Sequence, residues 1–308
     1  MTIPSLQAPD MVATSGTLTF APVQTIPLRS GPVAYRQSGT GFPLVLLHGW
    51  GGSSRYWQDT LHRFADVRQV YALDLPGHGE TPPLTDIAST ERLAELVIEF
   101  TDALGLEQFD LNGHSLGAAV AVYLAASQPQ RIRRLVLTSL GIFRSQMEQL
   151  LLAQTYFQMS MSMLAWRPWL LLWRPWFKLW QPWFDWIGSQ PAVYRAIAPY
   201  FLHQMPANEQ LLREGVVEFL RTDRLTSLEN AISAGSPAFV PALRKITAPT
   251  LLIGADRDQL MPSSGVLPLA QYIQNCRHVE LVACGHVPMI EKADEYHRLL
   301  REFLVNEQ

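Results

Sequence analysis

A serine between two glycines constrains this chain more than any other feature. The segment Gly113-His114-Ser115-Leu116-Gly117 separates an apolar run, which ends at Asn112, from a helical pattern of small residues. A tight strand-to-helix turn needs small residues on both sides of such a serine, and it holds the hydroxyl clear of the sheet. The N-terminus of the following helix leaves the N–H of Leu116 free to receive a developing oxyanion. The segment therefore predicts a nucleophilic Ser115 with an amide donor beside it.

Strand patterns alternate with helical patterns on both sides of a long interruption. A hairpin at residues 25–36 precedes apolar runs at 43–47, 69–73, 109–112 and 132–137, and further runs follow at 249–254 and 279–282. This alternation predicts an α/β fold with a mostly parallel, doubly wound sheet. We expect residues 1–141 and 240–308 to form the core domain, with residues 1–23 as a loose leader. We expect residues 142–239 to form an all-helical cap inserted after the sixth strand.

The overall composition excludes several classes of function. The 308 residues carry a formal net charge of −3 and no Lys/Arg run, which argues against nucleic acid binding. There are two cysteines, Cys276 and Cys284, too few for a disulfide framework or a structural zinc site. No ligand cluster or phosphate-binding glycine motif is present, so we expect no metal and no cofactor. Because the N-terminus lacks the features of a secretory signal, we expect a cytoplasmic protein.

A serine nucleophile requires a histidine base and an orienting carboxylate, in the chain order Ser, Asp or Glu, His for this kind of sheet. The suitable carboxylates, Asp256 and Asp258, follow the run at 249–254, and the suitable histidine, His286, follows the run at 279–282. Carboxyl ends of parallel strands meet at one edge of a sheet, so these groups can converge with Ser115. Asp258 stands four residues before Pro262, where the loop turns back, and is preferred; Asp256 stays open as the alternative.

Together these motifs resemble the α/β-hydrolase superfamily. The resemblance runs from about residue 28 to 303, except for the middle insertion, and rests on the following segments: His48-Gly49, Asp74-x-Pro76-Gly77-His78-Gly79, Gly113-His114-Ser115-Leu116-Gly117, Asp258-Gln259-Leu260-Met261-Pro262 and Gly285-His286-x-Pro288-Met289-x-Glu291. It implies Ser115 as the nucleophile, His286 as the general base and acid, and Asp258 as its orienter. It also implies an oxyanion hole from the backbone N–H groups of Trp50 and Leu116.

The insertion contains a Trp-x-Pro-Trp unit repeated three times at seven-residue intervals, from Trp166 to Trp186. The tryptophans recur at steps of three and four, which predicts one stripe on a helix, while the three prolines predict a kinked or broken one. One interpretation is that the rings roof the active site. The other is that they anchor the cap at a membrane interface, with Arg167, Arg174 and Lys178 reaching toward head groups. Four rings are assigned to substrate binding: Trp166, Trp169, Trp173 and Trp176.

These features predict a serine hydrolase of carboxylic esters with a bulky apolar acyl or alcohol group. Related hydrolases of carbon–carbon bonds commonly have Trp after the catalytic histidine, where this chain has Val287. A carrier-protein ester or thioester, acyl transfer, and a non-catalytic scaffold for hydrophobic ligands stay as alternatives. The expected partner is a hydrophobic small molecule, with peripheral membrane or micelle contact through the tryptophans as a further expectation.

Overall fold

The computed structural model describes residues 21–141, 146–205 and 209–306, and its centre is one eight-stranded sheet. The strands are β1 (Val23–Leu28), β2 (Gly31–Ser38), β3 (Pro43–Leu47), β4 (Gln69–Leu73), β5 (Phe109–His114), β6 (Ile132–Thr138), β7 (Thr250–Ala255) and β8 (Cys276–Leu281). Their order is β1-β2-β4-β3-β5-β6-β7-β8. The first two strands run antiparallel, and every pair among β3 to β8 is parallel. The predicted mostly parallel sheet is confirmed, whereas residues 1–20 of the predicted leader lie outside the described residues.

Helices cover both faces of the sheet because its strands are apolar on both sides. The helices are α1 (Gln58–Phe64), α2 (Thr90–Ala103), α3 (Leu116–Ser127), α4 (Gln146–Leu179), α5 (Gln181–Gly188), α6 (Pro191–Ile197), α7 (Glu209–Arg221), α8 (Arg224–Ser233), α9 (Phe239–Leu243), α10 (Ser263–Val266), α11 (Pro288–Glu291) and α12 (Ala293–Arg301). Along β3, Val45 and Leu47 pack with α2 and α3. The alternate residues Leu44 and Leu46 pack with α1 and α12. Successive side chains of a strand point to opposite faces, so the sheet lies between two apolar layers.

The topology creates a crevice at the carboxyl end of β3. This strand lies between β4 and β5, so the connections that leave β3 and β5 turn to opposite sides of the sheet. Ligands of open α/β sheets bind at such a switch point. The loop that begins at His48 follows β3, and Ser115 follows β5 directly.

A helical insertion follows the sixth strand, as the sequence predicts. Helices α4 to α8 lie between β6 and β7 in the chain. The exact division into a core at 1–141 and 240–308 and a cap at 142–239 stays a prediction. Across the described ranges, no helix combines the length and apolar character needed to cross a bilayer.

The tryptophan repeat is more regular than its prolines predict. Helix α4 continues through Pro168 and Pro175, and the chain changes helix only at Trp180, with Pro182 in the first turn of α5. A helical proline removes a hydrogen bond to the carbonyl four residues earlier. Both interior prolines lie on the exposed side of α4, where solvent can satisfy the freed carbonyls. Of the kinked or broken helix that the prolines predict, a break is present at the third repeat, whereas one helix continues through the first two.

Candidate active site

Ser115 occupies a strained turn between β5 and α3. Its backbone has φ 52° and ψ −114°, outside the regions that suit an L-residue, and its N–H donates to the Thr138 carbonyl at 2.9 Å. The two flanking glycines are required by close packing. A Cβ at Gly113 would lie 2.3 Å from the Gly117 carbonyl oxygen, and one at Gly117 would lie 2.3 Å from that of Leu47. The turn predicted from the sequence is therefore present, with the serine at its apex.

Asp258, and not Asp256, contacts the histidine that follows β8. Asp258 Oδ2 lies 2.8 Å from His286 Nδ1, and both side chains are buried. The second carboxylate oxygen, Oδ1, accepts the N–H groups of Leu260 and Met261 at 2.9 and 2.8 Å. Asp256 instead accepts the Cys284 N–H at 3.3 Å. Of the two carboxylates that the sequence leaves open, the structure thus pairs Asp258 with His286.

The backbone of His286 is held on both sides. Its N–H donates to the Phe201 carbonyl at 2.7 Å. Its own carbonyl accepts two hydrogen bonds, from His114 Nε2 at 2.8 Å and from Ser139 Oγ at 2.9 Å. Both donors come from the ends of β5 and β6, next to the serine turn, so the histidine loop is fastened to the strands that carry Ser115.

His114, directly before the nucleophile, extends this network toward the loop after β3. Because a carbonyl only accepts, His114 Nε2 carries the proton and Nδ1 is left as the acceptor for the Tyr56 hydroxyl at 3.1 Å. The same hydroxyl accepts the backbone N–H of Gly49. Burial, with a smaller contribution from neighbouring His286, lowers the pKa of His114 to about 3. His114 is therefore a neutral bridge at any working pH.

Trp50 is in the loop after β3, beside the serine turn. A Cβ at the preceding Gly49 would lie 3.1 Å from the Ser115 Cβ, so the two loops are in van der Waals contact. The Trp50 indole reaches across to the cap, where it donates to the Ser227 carbonyl at 3.1 Å and meets the Phe219 ring edge-on at 5.1 Å. The backbone amides of Trp50 and of Leu116, the first residue of α3, are the pair that the sequence assigns to an oxyanion hole, and this role stays a proposal.

Two further motif residues, His48 and Asp74, hold this loop in place. The His48 ring contacts the Gly49 carbonyl through Nδ1 at 2.8 Å and accepts the Leu75 N–H through Nε2 at 2.9 Å. Asp74 accepts the N–H groups of Ser54 at 2.6 Å and Glu80 at 2.9 Å. These side chains are buried and serve the loops rather than the chemistry.

An apolar cavity of about 160 Å³ opens beside these groups. From the core domain it is lined by the Gly49–Ser53 loop, His114, His286 and Val287. From the insertion it is lined by α6, α7 and the segment between them, through Ile197, Phe201, Leu212, Gly215 and Phe219. The charged lining residues include Arg55 and Glu218, whose side chains approach each other to 3.5 Å. The cavity thus offers mostly apolar walls next to His286.

The four tryptophans assigned to substrate binding lie outside this cavity. Trp166, Trp169, Trp173 and Trp176 do not line this cavity, and 52% to 64% of each side chain is exposed. Their assignment as a roof over the site is therefore wrong. The inward side of α4 is taken up by other residues, which pack on α8, so the tryptophan stripe is turned outward.

Sequence reasoning missed two residues that organise the site. Tyr56 links the Gly49 amide to His114, and no local motif marks it. Glu291, within a quoted motif but without an assigned role, accepts the N–H groups of Gly285 at 3.1 Å, His203 at 2.9 Å and Gln204 at 3.0 Å. It thereby ties the histidine loop to the cap, and its fixed spacing from His286 is the one signal that pointed to it.

Comparison with known proteins matches residues 44–299 to the model of a family described as the alpha/beta hydrolase family. The pyrrolizixenacetamide deacetylase of Xenorhabdus hominickii is 28% identical over 280 residues, covering 89% of this chain and 95% of that protein. The 2-hydroxymuconate semialdehyde hydrolase of Pseudomonas putida is 31% identical over 273 residues, covering 86% and 88%. A solved structure described as a membrane phospholipase A superposes with a TM-score of 0.70 at 24% identity, covering 92% of this chain and 85% of that one, and supports the fold alone.

Proposed function

The chain belongs to the alpha/beta hydrolase family, and from that premise we propose that it is a serine hydrolase of carboxylic esters with an apolar acyl or alcohol group. The observation that carries the proposal is the pairing of His286 with Asp258 at 2.8 Å, beside a strained Ser115 and an apolar cavity. Curated relatives of this chain include hydrolases of more than one bond type, so the substrate class is argued from the cavity.

In the first half of the reaction, Ser115 Oγ attacks the ester carbonyl and forms a tetrahedral intermediate. His286 Nε2 takes the serine proton, because its Nδ1 faces the Asp258 carboxylate. The backbone N–H groups of Leu116 and Trp50 donate to the oxyanion, and such donors contribute most because they are already aligned. The carbon–oxygen bond then breaks, and the alcohol leaves with the proton from His286.

In the second half, water replaces the alcohol. His286 takes a proton from the water, whose oxygen attacks the acyl-serine ester, and the same two amides receive the second oxyanion. Collapse releases the carboxylic acid, and His286 returns the proton to Ser115 Oγ. The two hydrogen bonds to the His286 carbonyl favour this cycle, because they keep the ring in one place while its protonation changes.

The cavity walls support an apolar substrate. Ile197, Phe201, Leu212 and Phe219 face the space next to His286. Burying an acyl chain against them would contribute about 0.8 kcal/mol per methylene. Arg55, the cation among the described residues that line the cavity, lies 3.8 Å from Glu80 and 3.5 Å from Glu218, an arrangement unfavourable to an anionic substrate.

Carbon–carbon bond hydrolysis is the second candidate, favoured by the 31% identity to a 2-hydroxymuconate semialdehyde hydrolase. The same serine, histidine and aspartate would serve it. Val287 stands after the catalytic histidine, where that class commonly has tryptophan. Arg55, already paired with carboxylates, is a further argument against an anionic ring-cleavage product.

The test is hydrolysis of p-nitrophenyl esters from acetate to palmitate by the wild-type protein and by Ser115→Ala. We expect turnover that depends on Ser115 and a kcat/KM that rises with acyl length until the cavity is filled. Ser127→Ala is the matched control, because Ser127 ends α3, far from the elbow that begins it. Ser115→Ala should lower kcat by about 10⁶-fold, and the control should not change it.

Three outcomes would overturn the proposal. Activity on an anionic ring-cleavage dienone with none on esters would establish carbon–carbon hydrolysis. Activity confined to esters or thioesters on a carrier protein would replace the small-molecule substrate. Tight binding of long-chain acids by a protein without Ser115-dependent turnover on any of these would identify a binding scaffold.

A further inference from the structure

The tryptophans of the repeat form the most exposed apolar surface in the described part of the chain. All seven are 49% to 64% exposed: Trp166, Trp169, Trp173, Trp176, Trp180, Trp183 and Trp186. We call this set the tryptophan ridge. Leu164, Leu172 and Leu179 on the same helices are also more than half exposed. Contiguous apolar surface of this kind marks an interaction site, because exposing it to water is unfavourable.

The ridge is not needed to hold α4 in place. On the inward side of α4, Met163 packs against Leu225 and Ile232 of α8, with Leu170 and Leu171 against the same cluster. Two ion pairs extend this inward seam. Arg167 Nε lies 2.9 Å from Glu229 Oε1, and Arg174 donates to both oxygens of Asp223 at 2.8 and 2.9 Å. Helix α4 is therefore held by contacts on one side only, and the tryptophan ridge on its other side is free to contact a partner.

These ion pairs correct an expectation drawn from the sequence. Arg167 and Arg174 turn toward the protein, so they do not reach outward beside the tryptophans. Lys178 is exposed at the end of α4 but follows Arg174 by four residues, so it lies on the same side of the helix, beside the groove that Arg174 and Phe177 line with Gly77 and Pro82. Residues 151–178 contain these three cations and not one carboxylate. Between residues 157 and 179 the outward face of α4 thus presents indoles and aliphatic side chains, with the three cations on the other side.

The shape and chemistry of the ridge favour lipid over protein. A protein partner would need a surface that is complementary in shape to the ridge. A single helix with half-exposed rings is convex, so such a partner would have to provide a matching groove. A fluid lipid interface adapts to such a shape. Indole rings prefer this environment because the ring is apolar and its N–H can reach water or head groups. With 34 residues, α4 is about 51 Å long, enough to lie along a bilayer surface over its whole length.

We propose that the tryptophan ridge docks on the surface of a phospholipid bilayer. In this arrangement α4 lies in the plane of the interface and its indoles enter the head-group region. The proposal does not depend on the ester hydrolase activity proposed above.

Co-sedimentation with vesicles tests the docking directly. The wild-type protein is mixed with vesicles of phosphatidylcholine, alone or with added phosphatidylglycerol. Trp169→Ser, Trp173→Ser and Trp176→Ser should each weaken vesicle binding by about tenfold, because each removes a large ring that docking would bury. The triple variant should weaken binding further.

The matched control replaces exposed aliphatic residues of the core domain, Leu267→Ser and Val282→Ser, which are 58% and 70% exposed. These should bind vesicles as the wild type does. Far-ultraviolet circular dichroism and hydrolysis of a short soluble ester show whether each variant is folded. Retained ester turnover with lost vesicle binding would support docking, and lost turnover with retained binding would contradict only the proposed activity.

Light scattering after size-exclusion chromatography supplies the opposing result. If the wild type is a dimer that the triple tryptophan substitution converts to a monomer, and neither form binds vesicles, the ridge joins two copies of the chain and lipid docking is wrong. Equal vesicle binding by the wild type and the triple variant would also overturn the proposal.

Discussion

His114 Nε2 donates a 2.8 Å hydrogen bond to the backbone carbonyl of His286. The residue before Ser115 thus fixes the main chain of His286. Through Nδ1, the same imidazole contacts the Tyr56 hydroxyl, which in turn accepts the Gly49 N–H. One buried chain of hydrogen bonds therefore joins the loop of Trp50, the serine turn and the histidine loop.

Tyr56→Phe should reveal this coupling. The substitution keeps the ring but removes the hydroxyl that bonds both the Gly49 N–H and His114 Nδ1. The loop after β3 and the His114 ring then lose the hydrogen bonds that join them. We expect kcat to fall ten- to a hundredfold, since small displacements in an active site have effects of this order, with KM little changed.

Tyr35→Phe provides the matched control, because it removes a hydroxyl that bonds Gln24 Oε1 at 2.9 Å on the other side of the sheet. Equal kcat values for the two variants and the wild type would restrict Tyr56 to a structural role. Urea denaturation of each variant separates a loss of stability from a loss of rate.

The choice between the two aspartates can be tested by kinetics. Asp258→Asn replaces the carboxylate that contacts His286 Nδ1 with an amide, which can favour the wrong tautomer, and we expect kcat to fall by about 10⁴-fold. Asp256→Asn removes a charge that contacts only the Cys284 N–H and nearby Arg257 and should lower kcat less than tenfold. If Asp256→Asn has the larger effect on steady-state ester hydrolysis, the assignment of Asp258 is wrong.

Gly215 offers a way to change acyl-length preference. It lines the cavity from α7, and no atom lies within 4 Å of where its Cβ would be. Gly215→Phe should place a ring in the cavity, so that kcat/KM for long acyl chains falls on the order of tenfold while acetate is unaffected.

Gly215→Ala is the companion variant. It adds one methyl group and should leave the length profile unchanged, while it raises the free energy of unfolding by about 0.5–1 kcal/mol, because alanine suits a helix better than glycine. An unchanged profile for Gly215→Phe would mean that long chains occupy another part of the protein.

Stability should decrease in mild acid because of buried histidines. Burial lowers the pKa of His48 well below its usual value, and burial with neighbouring His286 lowers that of His114 to about 3. Both are neutral when folded but take up a proton below about pH 6.5 when unfolded. The unfolded state then binds more protons, so the free energy of unfolding falls as the pH drops from about 6.5 toward 3, by up to about 1.4 kcal/mol per pH unit for each histidine.

Urea denaturation across this range measures the slope. His114→Gln removes one such histidine and should make the slope shallower by about one proton, although its absolute stability is lower because hydrogen bonds are lost. An unchanged slope would show that His114 is protonated in the folded protein.

The positions of Ser115, Asp258 and His286 could be predicted because the topology fixes where they go. Parallel strands place all their carboxyl ends at one edge, so these three residues needed only the right positions after β5, β7 and β8. Tyr56 and Glu291 act through contacts with residues far apart in the chain. No local sequence signal marks Tyr56, and only the spacing of Glu291 from His286 points to Glu291.

The tryptophan repeat shows the limit of periodicity. A step of three and four correctly predicts one stripe on a helix, but it does not say which side of the helix meets the protein. In the structure that side is set by the salt bridges of Arg167 and Arg174 with Glu229 and Asp223, which lie more than 45 residues away. Only the complete fold brings these partners together, so of the two interpretations of the stripe the roof over the active site places it on the wrong side.

The elements that wall the cavity are not the element that carries the ridge. Helices α6 and α7 contribute the apolar walls beside His286, whereas α4 contributes the indoles and rests on α8. The two proposals thus place ester preference and membrane docking on different helices. Variants of α6 or α7 should change the ester that is cleaved, variants of α4 should change vesicle binding, and each property can be altered while the other is kept.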